Sequence, residues 1–520
     1  MESLKSKLLT YYGLKEEDYA SYTAEPTYSL IPTIEGELSV LEAKKTLFAA
    51  IKAKQSIIVY GDYDTDGIMA TSIIVRTLAL MGVDAKHFIP SRYIDGCGLN
   101  KENAKKIVES GFGLAILVDN GVSCFEEVAY LRQNNVNVII IDHHDLPASL
   151  PPANAIIHDE LLKYGECSVS AGFLSYLFSR VLLNRNDPYL FTLGSLSLLS
   201  DVMPMKAQNR AAVGLMLREI REHEFPEIVW LTNKKYIDEK ILGIEVIPKI
   251  NSVPRLKEGH EANNLVKYFA NLEGKDKFKL AEQLREINEE RKTVANDGFE
   301  KIYLDDSPGF CVKGDSPEGL NGLIANKILD KKNVPVLVFS PSKASKGCLV
   351  GSFRSKEGAD FPSLIEELGD LPIKNGGHAY AGGITIKEED FMRVNELFLS
   401  WASRHPLLKA KEDTKPIEID IGEATLDTYI EIRKFGPFGE GHPEPTFLLK
   451  DVEVGALRIL KDEKPFKAIP NRGKVTIKSF KFAKEALIND KISLKGTFGI
   501  NEFKERRTFE FTCEIEKEDN

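Results

Sequence analysis

The sequence predicts an α/β protein with a parallel-sheet domain, a long connecting helix, a smaller α/β domain and a C-terminal β-barrel. Three observations support this class. Short apolar runs alternate with helical patterns from about residue 50, a polar periodic segment covers 276–302, and apolar and polar residues alternate beyond about residue 415. Strands that alternate with helices build parallel sheets, whereas closely spaced alternating strands build barrels.

The first domain is predicted from three strands that are apolar almost throughout, as is typical of strands covered on both faces. These strands are SIIVYGD (56–62), LAILVDN (114–120) and VNVIIIDHH (136–144). Helical patterns at 70–81 and 126–134 separate the strands, and these helices are expected to cover the faces of the sheet. The alternation therefore indicates βαβ units.

The remaining domains follow from shorter patterns. The second domain is predicted from VPVLVFS (334–340), GGHAYAGG (376–383) and a helix at 391–404. The barrel is predicted from TFLLKDVEV, GKVTIKSFKF, KISLKGTFGI and RTFEFTCEIE. The expected divisions are an N-terminal segment 1–50, the first domain 51–210, a helical connection 211–305, the second domain 306–410 and the barrel 411–520.

Composition limits the class of protein. With 520 residues, 43% of them hydrophobic and 28% charged, the chain is expected to form roughly three or four globular domains. Six scattered cysteines without a CxxC pair predict reduced thiols, and the absence of a signal-peptide pattern or a long uncharged apolar stretch predicts a cytoplasmic protein away from membranes. A net charge of -10 argues against a uniformly basic surface but permits a local basic groove.

Acidic and imidazole side chains follow three successive predicted strands. They are Asp62, Asp64 and Asp66 in GDYDTDG, Asp119 in VDNG, and Asp142, His143 and His144 in IDHH. Since ligands of doubly wound sheets bind beyond the carboxyl ends of the strands, we expect these groups to converge. Any single Asp here could be a turn or cap residue, but crowded carboxylates at three strand ends require a cation.

A fourth element, GSLSLLSDVMP, offers Asp201 as a further oxygen ligand, although a helix-terminal Asp is common without such a role. Mixed Asp and His ligands without cysteine favour Mn²⁺ or Mg²⁺. Two such ions about 3.5–4 Å apart would activate water and polarise a phosphate oxygen. The motifs therefore predict hydrolysis of phosphate esters or anhydrides without a covalent intermediate.

In order along the chain, GDYDTDG, VDNG, IDHH and GSLSLLSDVMP resemble motifs I to IV of the DHH phosphoesterase superfamily. The resemblance to its RecJ branch covers roughly residues 50–450. It includes FIPSRYIDGCGLN, IPKINSVPRL, NEER, GSFRS, GGHAYAGGITI and GPFGEGHPEPTF. The expected domains are then a DHH domain, a DHHA1 domain and an OB-like domain.

This resemblance implies roles for the motif residues. The metal ligands would be Asp64 and Asp66, a bridging Asp119, His143 and Asp201, with Asp62 as a ligand or support. His144 would contact the scissile phosphate, and Asp142 would orient a neighbouring imidazole. The catalytic group implied in this way is Asp119, Asp142, His143 and His144.

The resemblance also implies substrate contacts. Gly376, Gly377 and His378 resemble the DHHA1 signature that holds substrate phosphate, although a glycine-rich turn without function is the common alternative. The residues implied to bind the terminal 5′ phosphate or the strand backbone are Arg92, Arg255, Ser352 and Arg354. In the OB-like region Arg472, Lys474, Lys478 and Lys481 alternate with Phe480, a pattern that suits strand binding but also any half-buried strand.

The resemblance predicts a 5′ to 3′ exonuclease acting on single-stranded DNA in repair and recombination, as a monomer. RNA is a second substrate to consider, and a single-strand-binding protein or a helicase is an expected partner. The alternatives are a phosphodiesterase for oligoribonucleotides or cyclic dinucleotides, and an inactive replication scaffold. Ser316 and the segment after Ile157 depart from the family pattern, which leaves details of the substrate path open.

Overall fold

A five-stranded sheet carries the strand ends that bear the acidic motifs. The computed structural model describes residues 3–96, 98–232, 234–271, 277–408, 415–471, 475–503 and 506–516. The strands are β1 (Ser56–Tyr60), β2 (Ala85–Phe88), β3 (Phe112–Val118), β4 (Asn137–Ile141) and β5 (Ala155–Ile157). They lie in the order β2-β1-β3-β4-β5, and every neighbouring pair is parallel. The predicted parallel sheet is therefore confirmed.

Helices cover both faces of this sheet, as its apolar strands require. The helices from the N-terminus to the end of this domain are α1 (Leu4–Tyr11), α2 (Tyr19–Tyr22), α3 (Leu38–Lys52), α4 (Thr65–Leu80), α5 (Lys101–Glu109), α6 (Phe125–Gln133), α7 (Asp159–Leu162), α8 (Ala171–Leu183), α9 (Pro188–Ser200) and α10 (Ala207–His223). Helix α4 begins at Thr65, five residues earlier than the apolar pattern predicts, because Asp64 caps it.

Short helices and one long helix connect the two α/β domains. They are α11 (Pro226–Val229), α12 (Glu239–Ile241), α13 (Ile247–Ile250), α14 (Ser252–Leu256), α15 (Asn263–Ala270) and α16 (Lys277–Glu300), with a π-helical turn at Leu242–Val246. In α16, Ala281 and Leu284 pack in the core of the first domain, whereas Ala295 packs in a core of the second. The predicted connecting helix therefore joins two cores.

The second domain is a mixed sheet with helices. Its strands are β6 (Phe310–Lys313), β7 (Val336–Pro341), β8 (Cys348–Arg354), β9 (Lys374–His378) and β10 (Ala381–Lys387), in the order β6-β7-β8-β10-β9. Only β6 and β7 pair in parallel. The helices are α17 (Asn321–Lys332), α18 (Phe361–Leu368) and α19 (Phe391–Arg404), the last with the predicted bounds.

A seven-stranded sheet forms most of the C-terminal domain, in the order β11-β12-β16-β17-β15-β14-β13. Its elements are β11 (Ile417–Ile419), α20 (Leu426–Lys434), β12 (Phe447–Glu453), β13 (Leu457–Lys461), β14 (Phe466–Pro470), β15 (Thr476–Ser479), β16 (Lys491–Phe503) and β17 (Arg506–Ile515). Leu8 and Leu9 of α1 pack in its core. The N-terminal segment thus contacts the far end of the chain.

None of the helices in the described ranges combines the length and the apolar composition needed to cross a bilayer.

Candidate metal centre and phosphate-binding surface

The turn between β1 and α4 brings three carboxylates together. Asp64 accepts a hydrogen bond from the main-chain nitrogen of Gly67 at 3.2 Å and so begins the helix. A Cβ atom on Gly67 would lie 2.5 Å from the main-chain oxygen of Asp62. Glycine is required at this position because the helix start packs directly on the Asp62 backbone.

The start of α8 orients Asp66, a contact that the sequence did not reveal. Its two carboxylate oxygens accept hydrogen bonds from the main-chain nitrogens of Ala171 at 2.9 Å and Gly172 at 2.7 Å. Free amide groups and the positive end of the helix dipole both favour an ionised carboxylate there. A Cβ on Gly172 would lie 2.9 Å from Asp66 Oδ1, so the glycine permits the approach.

Asp119 occupies a constrained position after β3. Its φ of 59° lies in the left-handed region, which residues other than glycine adopt rarely. Its main-chain nitrogen donates to the oxygen of Ile141 at 2.9 Å, which ties the turn to the end of β4. The buried Oδ1 accepts no hydrogen bond from the described residues. A buried carboxylate oxygen without a donor is suited to a cation.

Asp142 holds the DHH segment in place. It accepts hydrogen bonds from the main-chain nitrogen of His143 at 2.8 Å and from His144 Nδ1 at 2.7 Å. Burial is the largest single influence and opposes its ionisation, but the hydrogen bond and charge of His144, with the hydrogen bond from the main-chain nitrogen of Val122, together outweigh burial and lower the pKa of Asp142 to about 2. The same bond raises the pKa of His144 to about 9. His144 is therefore a cation whose Nε2 remains available to a ligand.

A second histidine supports this segment from behind. The buried His158 follows β5 and places its Nε2 2.9 Å from the main-chain oxygen of His144. Sequence reasoning assigned no role to His158, although its position at the end of a fourth sheet strand is the same signal that identified Asp62, Asp119 and Asp142.

His143 lies at the centre of the acidic groups. Its Nε2 is 3.5 Å from Asp66 Oδ2, 3.4 Å from Asp119 Oδ1 and 3.4 Å from Asp201 Oδ2. Burial lowers the pKa of His143, which favours the neutral imidazole that ligates metals. Asp201 caps the C-terminus of α9 and remains partly exposed. The four strand and helix ends therefore meet, as expected.

The donor set fits two adjacent divalent cations. Burial first, and then repulsion between neighbouring carboxylates, raises the pKa of Asp62, Asp66, Asp119 and Asp201. Three groups at this site have ligand atoms within 4.8 Å of one another: Asp62, Asp64 and Asp119; Asp119, His143 and His144; and Asp66, His143 and Asp201. Because Asp119 and His143 each belong to two of these groups, the groups form one continuous centre, in which a protonated His144 lies beside the cations without ligating them. Oxygen and imidazole donors suit Mn²⁺ or Mg²⁺.

Four arginines form a cluster beside this centre: Arg92, Arg255, Arg291 and Arg354. Burial and repulsion from the other three lower the pKa of Arg255 to about 10. Arg218, Arg393, Arg404 and Arg433 form ion pairs with carboxylates, whereas the four clustered arginines take part in none of the ion pairs seen among the described residues. A half-buried cationic cluster that lacks carboxylate partners is suited to an anion such as phosphate.

Two of these arginines have defined supports. The guanidinium of Arg92 lies over the ring of Tyr63, 5.6 Å from its centroid. Arg354 ends β8, two residues after the buried Ser352, and packs against Gly322. The sequence did not identify Arg291 as a site residue, although it closes the quoted NEER segment. Its Nε donates to the buried Asn288 at 3.1 Å.

The glycine-rich segment lies on an edge strand. Gly376, Gly377 and His378 belong to β9, whose residues are all exposed. A Cβ on Gly377 would lie 2.4 Å from the Cα of Gly382, so only glycine permits this strand pairing. His378 is outside the groups that can share a metal ion among the described residues. A role in holding substrate stays a prediction.

Two lysines of the basic pattern in the C-terminal domain form ion pairs with glutamates. Lys478 Nζ lies 2.9 Å from Glu510 Oε2, and Lys481 Nζ lies 2.5 Å from Glu514 Oε2. Phe480 is 59% exposed, and Lys478 Nζ lies 5.0 Å from its ring centroid. Arg472 and Lys474 fall outside the described residues. Strand binding here stays a prediction, supported by the exposed ring more than by net charge.

Comparisons with known proteins agree with this arrangement. The DHH family N-terminal domain matches residues 56–192, the DHHA1 domain matches 312–404 and the RecJ OB domain matches 417–514. A protein named single-stranded-DNA-specific exonuclease RecJ from Haemophilus influenzae is 29% identical over 517 residues, covering 90% of this chain and 89% of that protein. The RecJ of Bacillus subtilis is 26% identical, covering 90% of this chain but 62% of its own length.

A solved structure shares the whole fold. RecJ from Thermus thermophilus, crystallised in complex with Mn²⁺, superposes with a TM-score of 0.83 at 22% identity, covering 99% of this chain and 76% of that one. The three domain types occur here in one order, the relatives match most of the chain, and the fold is common to both structures. The chain belongs to the RecJ family of DHH phosphoesterases.

Proposed function

We propose that this chain is a metal-dependent exonuclease that hydrolyses phosphodiester bonds of single-stranded DNA from the 5′ end. One observation carries the proposal: a centre built for two divalent cations lies beside half-buried arginines that pair with no carboxylate in the described ranges. Cations beside a cluster of guanidinium groups are suited to a phosphate backbone. The names of the relatives in the family support the choice of single-stranded DNA.

The cation ligands in this proposal are Asp62, Asp64, Asp66, Asp119, His143 and Asp201. Bound Mn²⁺ or Mg²⁺ ions supply the electrophilic catalysis and the activation of water. Asp119 belongs to two of the ligand groups and would hold the two positions together, whereas His143 would ligate one cation through its Nε2. The amides of α8 fix the direction of Asp66, which keeps its oxygens aimed at the centre.

His144 acts on the phosphate. Asp142 accepts a hydrogen bond from Nδ1–H of His144, which fixes the orientation of the imidazole ring. The Nε2–H group, which faces away from Asp142, is then the donor to the phosphate. With a pKa of about 9, the imidazolium persists at neutral pH and donates a charge-assisted hydrogen bond to a non-bridging phosphate oxygen. Negative charge that develops on the phosphate during cleavage is thereby stabilised.

The arginine cluster determines which end of the strand is cut. A terminal 5′ phosphate carries more negative charge than an internal phosphodiester and so binds a cluster of guanidinium groups more strongly. Arg92, Arg255 and Arg354, with Ser352, hold this end in the proposal. Gly376, Gly377 and His378 contact the phosphates that follow, and the C-terminal domain guides the remaining strand.

The proposed unit is a monomer, because residues of a single chain are enough to complete the ligand groups of the centre. A single-strand-binding protein or a helicase is the expected partner, because each provides unpaired strands. The inactive scaffold is disfavoured because every ligand position of the centre is occupied by Asp or His.

Labelled strands test this function. With Mn²⁺, a 5′-labelled single strand should release its label in the first product, whereas a 3′-labelled strand should shorten progressively. A blunt duplex of the same sequence serves as the control and should resist. Release from the 3′ end first, faster cleavage of a matched RNA strand, or no cleavage with either Mn²⁺ or Mg²⁺ would contradict the proposal.

A further inference from the structure

Phe435 and the first residues of the segment GPFGEGHPEP (436–445) form a loop, residues 435–443, that has no role in the function proposed above. We call it the docking loop. Phe435, Phe438 and His442 within it are buried, so it is an integral part of the structure. It leaves α20 of the C-terminal domain and lies against the residues that follow Asp201. The main-chain nitrogen of Met205 donates to the oxygen of Glu440 at 2.7 Å.

The turn that carries Asp201 is held on the α9 side by main-chain hydrogen bonds, from the nitrogen of Asp201 to the oxygen of Ser197 at 3.0 Å and from the nitrogen of Met203 to the oxygen of Leu198 at 2.9 Å. The next residue, Val202, has a φ of 53°, and a β-branched residue in the left-handed region is strained. Its side chain is 63% exposed and therefore gains little from packing. A strained conformation persists only where surrounding structure holds it. The hydrogen bonds of α9 hold one side of this turn, so the residues that follow it must be held from the other side.

The docking loop supplies that support from one side. A Cβ on Gly439 would lie 3.1 Å from Met205 Cε, so the loop backbone rests on the Met205 side chain. Asn209 Nδ2 donates to the oxygen of Pro204 at 3.0 Å and holds the other side. The peptide from Pro204 to Met205 is thus fixed between α10 and the docking loop.

Arg210 clamps the loop to α10. Its Nη2 donates to the main-chain oxygens of Phe435 at 3.0 Å and Gly436 at 2.9 Å. Its Nη1 donates to the oxygen of Tyr22 at 3.2 Å, and the guanidinium lies 4.1 Å from the centroid of the Tyr22 ring. One side chain on the helix after Asp201 therefore joins the N-terminal segment, the first domain and the C-terminal domain.

We propose that Arg210 and the docking loop are positioning elements for Asp201, through which the C-terminal domain maintains cation affinity in the first domain. The proposal rests on the proposed function in one respect, namely that Asp201 is a cation ligand. Without the clamp, the strained turn relaxes and the Asp201 carboxylate leaves the position from which it reaches His143 and Asp66.

The test is Arg210→Met, with Arg221→Met as the matched control, since Arg221 is exposed near the end of the same helix. The melting temperature of the full chain is measured against Mn²⁺ concentration. We expect the half-maximal Mn²⁺ concentration to rise by about tenfold in Arg210→Met and to stay unchanged in the control. Loss of a positive charge alone would strengthen cation binding, so the direction of the shift separates positioning from electrostatics.

Gly439→Val provides a second variant, because it changes no charge and its added side chain would collide with the side chain of Met205. It should weaken Mn²⁺ binding in the same direction. Wild-type Mn²⁺ dependence in both variants would overturn the proposal and leave the proposed function intact. If the unmodified chain itself shows no Mn²⁺-induced rise in melting temperature, the cation centre fails and the positioning role fails with it.

Discussion

Asp119→Ala should lower the rate of strand cleavage by about a thousandfold or more, equivalent to about 4 kcal/mol of transition-state stabilisation. Asp119 belongs to two of the three ligand groups, so its removal disturbs both cation positions. Binding of the single strand should change little, because the arginine cluster remains. Cleavage is measured with a labelled strand and binding with fluorescence anisotropy.

Asp84→Ala is the matched control for this variant. Asp84 lies in the same domain before β2 and pairs with Lys86 at the surface. Cleavage and binding should both match those of the unmodified chain. Rapid cleavage by Asp119→Ala would remove the proposed centre, whereas loss of strand binding in parallel with cleavage would indicate a folding defect instead.

Arg255→Met should abolish the preference for strands that carry a 5′ phosphate. Arg255 lies among three other arginines and has no carboxylate partner in the described part of the chain. Its pKa of about 10 keeps it charged at neutral pH. Since a charge-assisted hydrogen bond contributes about 1.5–3 kcal/mol, kcat/KM for the phosphorylated strand should fall about 10- to 100-fold.

The comparison requires two substrates and one control variant. A strand with a 5′ hydroxyl should lose only a few-fold in kcat/KM, because it lacks the group that Arg255 binds. Arg393→Met, an exposed arginine on α19, should leave both values unchanged. Equal losses on the two strands would assign Arg255 to general strand binding or to structure, and the proposed end recognition would be wrong.

The acidic centre was predictable because its signals are local. Each of β1, β3 and β4 is a short apolar run that ends in Asp, and parallel strands place such ends at one edge. The sequence therefore indicated which side chains meet without any knowledge of the distances. The bounds of α16 and α19 followed from periodicity for the same reason.

Contacts between distant segments were not predictable. Asp66 is oriented by Ala171 and Gly172, more than a hundred positions along the chain, and no local pattern marks that pairing. Strand β9 has mainly glycine and polar side chains, so its sequence resembles a turn. In the C-terminal domain the Lys and Phe residues on and directly after β15 are visible in the sequence, but their partners Glu510 and Glu514 come from β17. Which glutamate lies opposite which lysine depends on the register of the paired strands, and the sequence does not show that register.

Anomalous scattering from a crystal of the full chain soaked in Mn²⁺ would show whether two cations share Asp119. We expect two peaks within contact of Asp119, one also near Asp62 and Asp64, the other also near His143. A single ion, or ions that bind away from Asp119, would contradict a shared two-cation centre.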